Sequence, residues 1–439
     1  MSLRKKSLDY IVGDILVKGF AFFSIIIVGK LATPESIGIY SLMMFVTDMF
    51  CIFSVFGMNS AVIKFYREDS ADKVFSNILI NFIILLGTSL LILYAGGFYL
   101  RNDPIYSFLW HNFLLITLIC LAKSSHSILI SHYISVGESK KVKWLGVVSS
   151  LINLGALFVF AFFDSSINEQ GLAISRCLAF GVYVVLFIFL SFQFFDSKKY
   201  DKVLMRSIYA YSFPLLLSTL VGTFNIYFSR LVLSKSFSLA ELGIYSYFIM
   251  IIINLNTVLG SFNSAWFPHL SDVYMKSGET ELVSVINNFL KKAILLGVVI
   301  TALSTLTYII SCFFEFNLRG YYQYRKLFFI MFDSITIGSL YILIANVVYI
   351  MKKTKYVFYD TLLTLFFNVV VTYALIKCLG LSGAALSVFG ASILSFYVYF
   401  YFSNRALEFN KLLTNQNKIA VALFMVLLLV KNVFLYFVN

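Results

Sequence analysis

The chain has 439 residues, 60% apolar and 13% charged, with a formal net charge of +13. Soluble domains carry about 25% charged residues, so an ordinary water-soluble globular protein is excluded. The positive balance does not call for nucleic acid, because the cations follow a membrane topology.

Apolar runs of roughly 20 residues, enough to cross ~30 Å of hydrocarbon at ~1.5 Å per residue, recur along the chain. They predict spanning helices over about 10–32, 38–62, 74–100, 107–135, 143–163, 170–195, 210–234, 242–266, 290–313, 326–350, 356–378 and 381–403, with a last run over 418–438. The runs are rich in Leu, Ile, Phe and Val and show no sustained alternation, which argues for helices and against an outer-membrane barrel. Arg4-Lys5-Lys6 precedes the first run, and Asp14 and Lys18 interrupt it. A cleaved signal peptide has an uninterrupted apolar core, so this run is read as the first span.

With the N-terminus placed in the cytoplasm, every cytoplasmic segment carries three or four Lys or Arg residues, Lys140, Lys141 and Lys143 among them, and the outer segments carry fewer. That alternation is the positive-inside pattern, and it turns the excess charge toward anionic lipid. The longest connections are 197–209, the natural hinge between halves, and 267–289, which is mixed in charge and suits an amphipathic surface helix. Tyr40 and Tyr245 are expected in the outer aromatic belt. Cys51, Cys120, Cys177, Cys312 and Cys378 lie in or beside apolar runs with no CxxC spacing, so they read as packing residues rather than disulfides or metal ligands.

The sequence repeats. Val28–Ser41, VGKLATPESIGIYS, returns 205 positions later as Leu233–Ser246, LSKSFSLAELGIYS. Asn59-Ser60-Ala61 returns as Asn263-Ser264-Ala265, and Gln170-Gly171-Leu172-Ala173-Ile174-Ser175 as Ser382-Gly383-Ala384-Ala385-Leu386-Ser387. An even number of spans per copy makes the copies parallel, related by a pseudo-two-fold axis along the membrane normal. The expected fold is an all-α polytopic membrane protein of two six-helix lobes, 1–196 and 210–403, joined by a cytoplasmic linker 197–209. Residues 404–439 add a C-terminal hydrophobic helix.

No Walker loop, GxSxG, HExxH or DFG-like set is present, and His111, His126, His132 and His269 lack metal-ligand spacing, so no enzyme activity and no metal are expected. The informative residues are charges inside spans, each costing at least ~2.5–3.5 kcal/mol at mid-span. Lys18 and Asp14 share a face of the first span and either neutralise each other or face a water-filled cavity. Lys123, His126 and Ser127 share a face of the fourth. Lys123 is too deep to snorkel fully, and any partner lies on another helix or on a ligand. Arg176 sits near the outer end of the sixth span. Asp14, Asp48 and Asp333 are carboxylates at depth, candidates for binding a coupling H⁺ or Na⁺, or for hydrogen bonding to a neighbouring helix. Pro214 opens a polar seventh span and suits a gate or hinge.

Pro34-Glu35-Ser36-Ile37-Gly38-Ile39-Tyr40-Ser41 carries a family resemblance. So does Gly57-Met58-Asn59-Ser60-Ala61-Val62-Ile63-Lys64-Phe65-Tyr66, together with Phe267-Pro268 and Gly383-Ala384-Ala385. On these residues the chain resembles the multidrug/oligosaccharidyl-lipid/polysaccharide exporter superfamily, and within it the Wzx-type flippases of bacterial O-antigen and capsule clusters. The pattern covers roughly 10–403. Lys64 stands where the family often has arginine, and the C-terminal run departs from a twelve-span core.

The resemblance implies alternating access and an undecaprenyl-diphosphate-linked oligosaccharide, flipped across the bacterial inner membrane for surface polysaccharide synthesis. Membrane lipids are implied partners, as are polysaccharide polymerase and chain-length proteins; nucleic acid is not. Lys18, Lys123, Arg176 and His126 are then the candidate substrate-binding residues, since fixed cations offset the desolvation of a diphosphate. A cation-coupled multidrug antiporter of the same superfamily is the alternative. A membrane-embedded glycosyltransferase or polymerase is a third, disfavoured by short outer loops.

Overall fold

The computed structural model describes residues 3–66, 70–103, 106–163, 166–196, 199–313, 320–351, 353, 355–407 and 412–437. Arg4, Lys5, Lys6, Asp14, Ser264, Ala265 and Pro268 lie on described helices, but their side chains are outside the described residues.

The chain forms α1 (Leu3–Leu31), α2 (Pro34–Val55), α3 (Met58–Phe65), α4 (Ala71–Tyr99), α5 (Phe108–His111), α6 (Phe113–Val136), α7 (Ser139–Phe163) and α8 (Glu169–Phe194). There follow α9 (Lys202–Ser236), α10 (Leu239–Phe313), α11 (Arg325–Ile350), α12 (Lys355–Phe367), α13 (Tyr373–Ala406) and α14 (Asn415–Phe437). Among the described residues, 11 helical stretches are long and apolar enough to span a membrane, and one of them, Lys355–Ala406, is long enough for two crossings. The protein is a multi-pass, all-α membrane protein.

Local chemistry sets the boundaries. Thr33 caps α2 by accepting the Ser36 N–H, with Pro34 in the first turn, where its missing N–H costs nothing. The helix stops where Phe56 (φ 51°) and Gly57 (φ 72°) are both left-handed, and α3 then resumes the same crossing. Gly380 (φ 59°) divides α13, between the expected spans 356–378 and 381–403. The chain folds back so tightly there that a Cβ at Gly383 would overlap the Leu375 carbonyl.

The 267–289 connection is helical, as part of α10. Residues 267–289 continue α10 on both sides of a single break at Gly278 (φ 78°, ψ −169°). The polar sequence around Lys276–Glu281 is compatible with a helix, and only the glycine can take that φ without a Cβ penalty.

Two compact units form. The first comprises Met1–Tyr227 with Phe237–Gly243, and the second Phe228–Ser236 with Ile244–Asn439. In the first, α1 packs on α7, α6 on α8, and α2 on α4 and α6, around Val55, Met58, Val62, Phe75, Ile78, Leu129 and Phe187. In the second, α11 packs on α13 and α14, around Leu340, Ile344, Val347, Phe396 and Leu428. With lipid outside, close packing and buried polar bonds rather than water exclusion hold such helices together.

The repeated glycines meet inside the first unit. A Cβ at Gly38 would overlap the Leu239 carbonyl, and one at Gly243 would overlap the Pro34 carbonyl. The tyrosines next to this contact are buried. Tyr40 and Tyr245 are 9% and 1% exposed, so they are packing residues and not members of an aromatic belt. Tyr245 bonds Ser229 within the second unit.

Candidate substrate and coupling site

Asp48 lies halfway along the α2–α3 crossing and Lys123 halfway along α6. Lys123 was expected to meet another helix or a ligand, and Asp48 a coupling ion or a neighbouring helix; the two meet each other. Lys123 Nζ donates to Asp48 Oδ1. Tyr227 Oη, from α9, donates to Asp48 Oδ2 at 2.9 Å, and its ring packs on Phe45 at 5.2 Å between centroids. The lysine and aspartate side chains keep 34% and 21% of their surface exposed. The pair is therefore accessible at mid-membrane depth, where an opposite charge offsets the insertion cost of each ion.

His126 stands one turn along α6 from Lys123. Its ring meets the edge of Tyr183 on α8 at 4.3 Å and of Phe180 at 5.4 Å. Lys123 and Arg176 both lie within electrostatic reach of His126, and Arg176 and Asp48 within reach of Tyr40. Arg176 is exposed on α8, with its guanidinium 5.3 Å from the Phe180 ring centroid. Lys123, His126 and Arg176 thus form one cationic neighbourhood around a single carboxylate.

Lys18 is half-buried on α1, next to Val17, which lines the same cavity as His126. Pro214 lies inside α9, which runs helical from Lys202 to Ser236 without a break. The left-handed Phe56–Gly57 turn packs against this part of α9: Phe56 contacts the Tyr209 and Phe213 rings, and a Cβ at Gly57 would press on the Ser212 carbonyl at 2.8 Å.

Asp333 is placed differently from Asp48. It is fully buried in the second unit, where Lys431 of α14 donates to its Oδ1 at 2.8 Å and Asn432 to its Oδ2 at 2.8 Å. Ser304 accepts a further bond from Lys431 at 2.7 Å. Lys431 itself is 6% exposed. This closed network locks α14 onto α10 and α11. The second unit also holds a cavity of about 520 Å³ walled by Ile300, Phe332, Ile335 and Leu343, with Lys292 the one charged residue lining it among the described residues.

Tyr227 is the residue sequence reasoning missed. It continues the stripe Thr219, Thr223, Tyr227 at i, i+4, i+8 on the polar face of α9, the spacing that puts side chains above one another.

Comparison with known proteins fixes the family. Residues 3–274 match the model of the polysaccharide biosynthesis protein family. The chain belongs to this family. The chain is 22% identical to the Capsular polysaccharide biosynthesis protein CapF of Staphylococcus aureus over 419 residues, 91% of this chain and 99% of CapF. Its fold is similar to that of the lipid II flippase MurJ in an inward closed conformation, with a TM-score of 0.68, 15% identity and coverage of 97% of this chain and 96% of that one. It is also similar to the Vibrio cholerae transporter VcmN of the MATE type, with a TM-score of 0.57, 15% identity and coverage of 93% and 97%. The chain thus shares its fold with these membrane proteins.

Proposed function

We propose that the protein moves a diphosphate-linked oligosaccharide on a polyprenyl carrier from the cytoplasmic to the outer leaflet of the bacterial inner membrane, with its N-terminus in the cytoplasm. The observation that carries this is the half-exposed Lys123 at mid-span, bound to a carboxylate that an incoming anion can replace. A diphosphate brings more acceptor oxygens than Asp48 supplies, and charge-assisted bonds in a low-dielectric site are the strong ones. Arg176 and His126 extend the same surface, and Lys18 adds charge from α1. Displacement of Asp48 from Lys123 leaves the carboxylate with Tyr227 alone, a state that favours taking up H⁺ or Na⁺. Ion uptake is thereby tied to substrate binding.

Lys123→Met, expressed to parental level in a flippase-deficient host, is expected to lose surface polysaccharide; full complementation would end this reading. Collapsing the proton or sodium gradient in vesicles should slow transport; indifference to both would mean facilitated flipping.

A second reading, a cation-coupled multidrug antiporter, draws on the carboxylate at mid-membrane and the shared fold. It requires Asp48→Asn to abolish transport of a cationic drug and Lys123→Met to leave it intact.

A further inference from the structure

Beside the Lys123 pair, the first unit contains a cavity of about 160 Å³ where α1, α6, α7 and α8 converge. Gly13, Val17, His126, Lys143, Gly146 and Tyr183 are among its walls. This volume is several times what one water needs, and its polar groups are an ammonium, an imidazole and a phenol. All three can donate hydrogen bonds, a set suited to an anion.

The small residues explain why the space exists. A Cβ at Gly13 would collide with the aliphatic stem of Lys143, and one at Gly146 would stand 3.1 Å from Val17 Cγ2. Glycine on each helix lets α1 and α7 approach closely, and the Lys143 stem lies across α1 instead of running straight out to solvent. Its ammonium sits 5.3 Å from the centroid of the exposed Trp144 ring. Trp at a helix end marks the headgroup level of a membrane, so the mouth of the cavity lies at the interface and His126 and Tyr183 lie deeper.

The order of groups matters. Lys143 is in the first turns of α7, His126 is farther into the membrane on α6, and Lys123 is one turn farther still, with Arg176 in reach. These residues form a graded series from one interface to mid-membrane. In the proposed orientation that interface is cytoplasmic, where the substrate must enter.

We propose that this cavity is the entry site for the phosphate group of the lipid carrier, with Lys143 the capturing cation, His126 and Tyr183 the inner donors, and Lys123 the next station. The proposal rests on the flippase reading and names a site that precedes the Lys123 pair.

The test uses the full-length protein in nanodiscs, with farnesyl diphosphate as the probe, titrated by calorimetry against farnesol. Farnesyl diphosphate should bind and farnesol should not. Lys143→Gln should weaken binding about tenfold or more, as expected for one charge-assisted bond, while Lys143→Arg should retain it. Val17→Phe, which fills the cavity and leaves every donor in place, should weaken binding similarly.

Unchanged binding in both Lys143→Gln and Val17→Phe overturns the entry site. If Lys123→Met still abolishes polysaccharide export in that case, the flippase reading survives alone. Loss of binding in both variants, with export untouched by Lys123→Met, establishes the cavity and sinks that reading. If Val17→Phe fails to yield monodisperse protein, Lys143→Cys replaces it: inorganic pyrophosphate should slow its labelling by a methanethiosulfonate reagent, and no protection overturns the proposal.

Discussion

The buried network at α14 allows the sharpest prediction. Lys431 and Asp333 have side chains only 5% and 0% exposed. In Lys431→Met the side chain keeps its length but loses its bonds to Asp333 and Ser304, and the carboxylate keeps only the Asn432 amide. Removing one partner of a buried pair costs about 3–5 kcal/mol, because the other is left charged and desolvated. If the pair is broken in the transition state for unfolding, the whole cost falls on the unfolding rate. At about 1.4 kcal/mol per tenfold, the half-life shortens by roughly 10²-fold to 4 × 10³-fold.

The assay is the half-life of monodisperse protein in detergent at fixed temperature, since membrane proteins rarely unfold reversibly. Adding Asp333→Asn to Lys431→Met removes the orphaned charge and should bring the half-life back to within about tenfold of the parent. A Lys431→Met half-life within about twofold of the parent, or a double variant worse than the single, would refute the account. The same pair of variants asks whether Asp333 serves as a coupling-ion site. A structural lock predicts loss of stability with normal transport per folded molecule.

Four other outcomes follow from the geometry. Tyr227→Phe removes one neutral-to-charged bond to Asp48, worth about 1.5–3 kcal/mol; transport should slow and its pH profile should shift, whereas a purely packing role for the ring would leave the profile alone. Gly243→Ala drives a methyl into the Pro34 carbonyl, a backbone atom that cannot rotate away, and should destabilise by about 1–3 kcal/mol or more. Gly222→Ala, with nothing within 4 Å of its Cβ, should be neutral or slightly stabilising in thermal unfolding. At the foot of α9, Lys73, then the Leu204 and Val203 N–H groups, hold the half-exposed Asp201 carboxyl below the usual carboxylate range. Its contribution is therefore complete above about pH 4 and is lost as pH falls through the lowered value. Amide exchange at Val203 and Leu204, corrected for intrinsic rates, should accelerate only below about pH 4, and Asp201→Asn should abolish that step.

Helix positions were legible because apolar runs and glycine breaks are local. Gly380 falls between two predicted spans, and α14 covers the last apolar run. The 267–289 stretch, expected as a connection that suits a surface helix, is helical and merges into α10, because the backbone leaves the helix there at one residue only, Gly278. Tyr40 and Tyr245 were misjudged because their burial is a tertiary fact that hydropathy does not carry. Lys123 and Asp48 were both visible as costly intramembrane charges, but their pairing joins residues 75 apart in sequence on two different helices. Tyr227 had only its helical phase to recommend it.

Residues 196 and 199–209, at and inside the expected linker, are bonded to α4. Asn77 of α4 donates to the Lys199 carbonyl and accepts the Asp201 N–H, Ser76 accepts the Asp196 N–H, and Lys73 and Asp72 pair with Asp201 and Lys199. The helix begins at Lys202, inside the expected linker, and Tyr209 bonds Asn81 one turn further along α4. A rod clamped over its first two turns cannot swivel at its foot. Any bending of α9 is pushed downstream to the turn around Pro214, where proline leaves the Ala210 carbonyl without its helical donor and the Phe56–Gly57 turn lies alongside. Force applied to the far end of α9 would then be felt at Asp48 through Tyr227, and the clamped foot would serve as the anchorage of a spring.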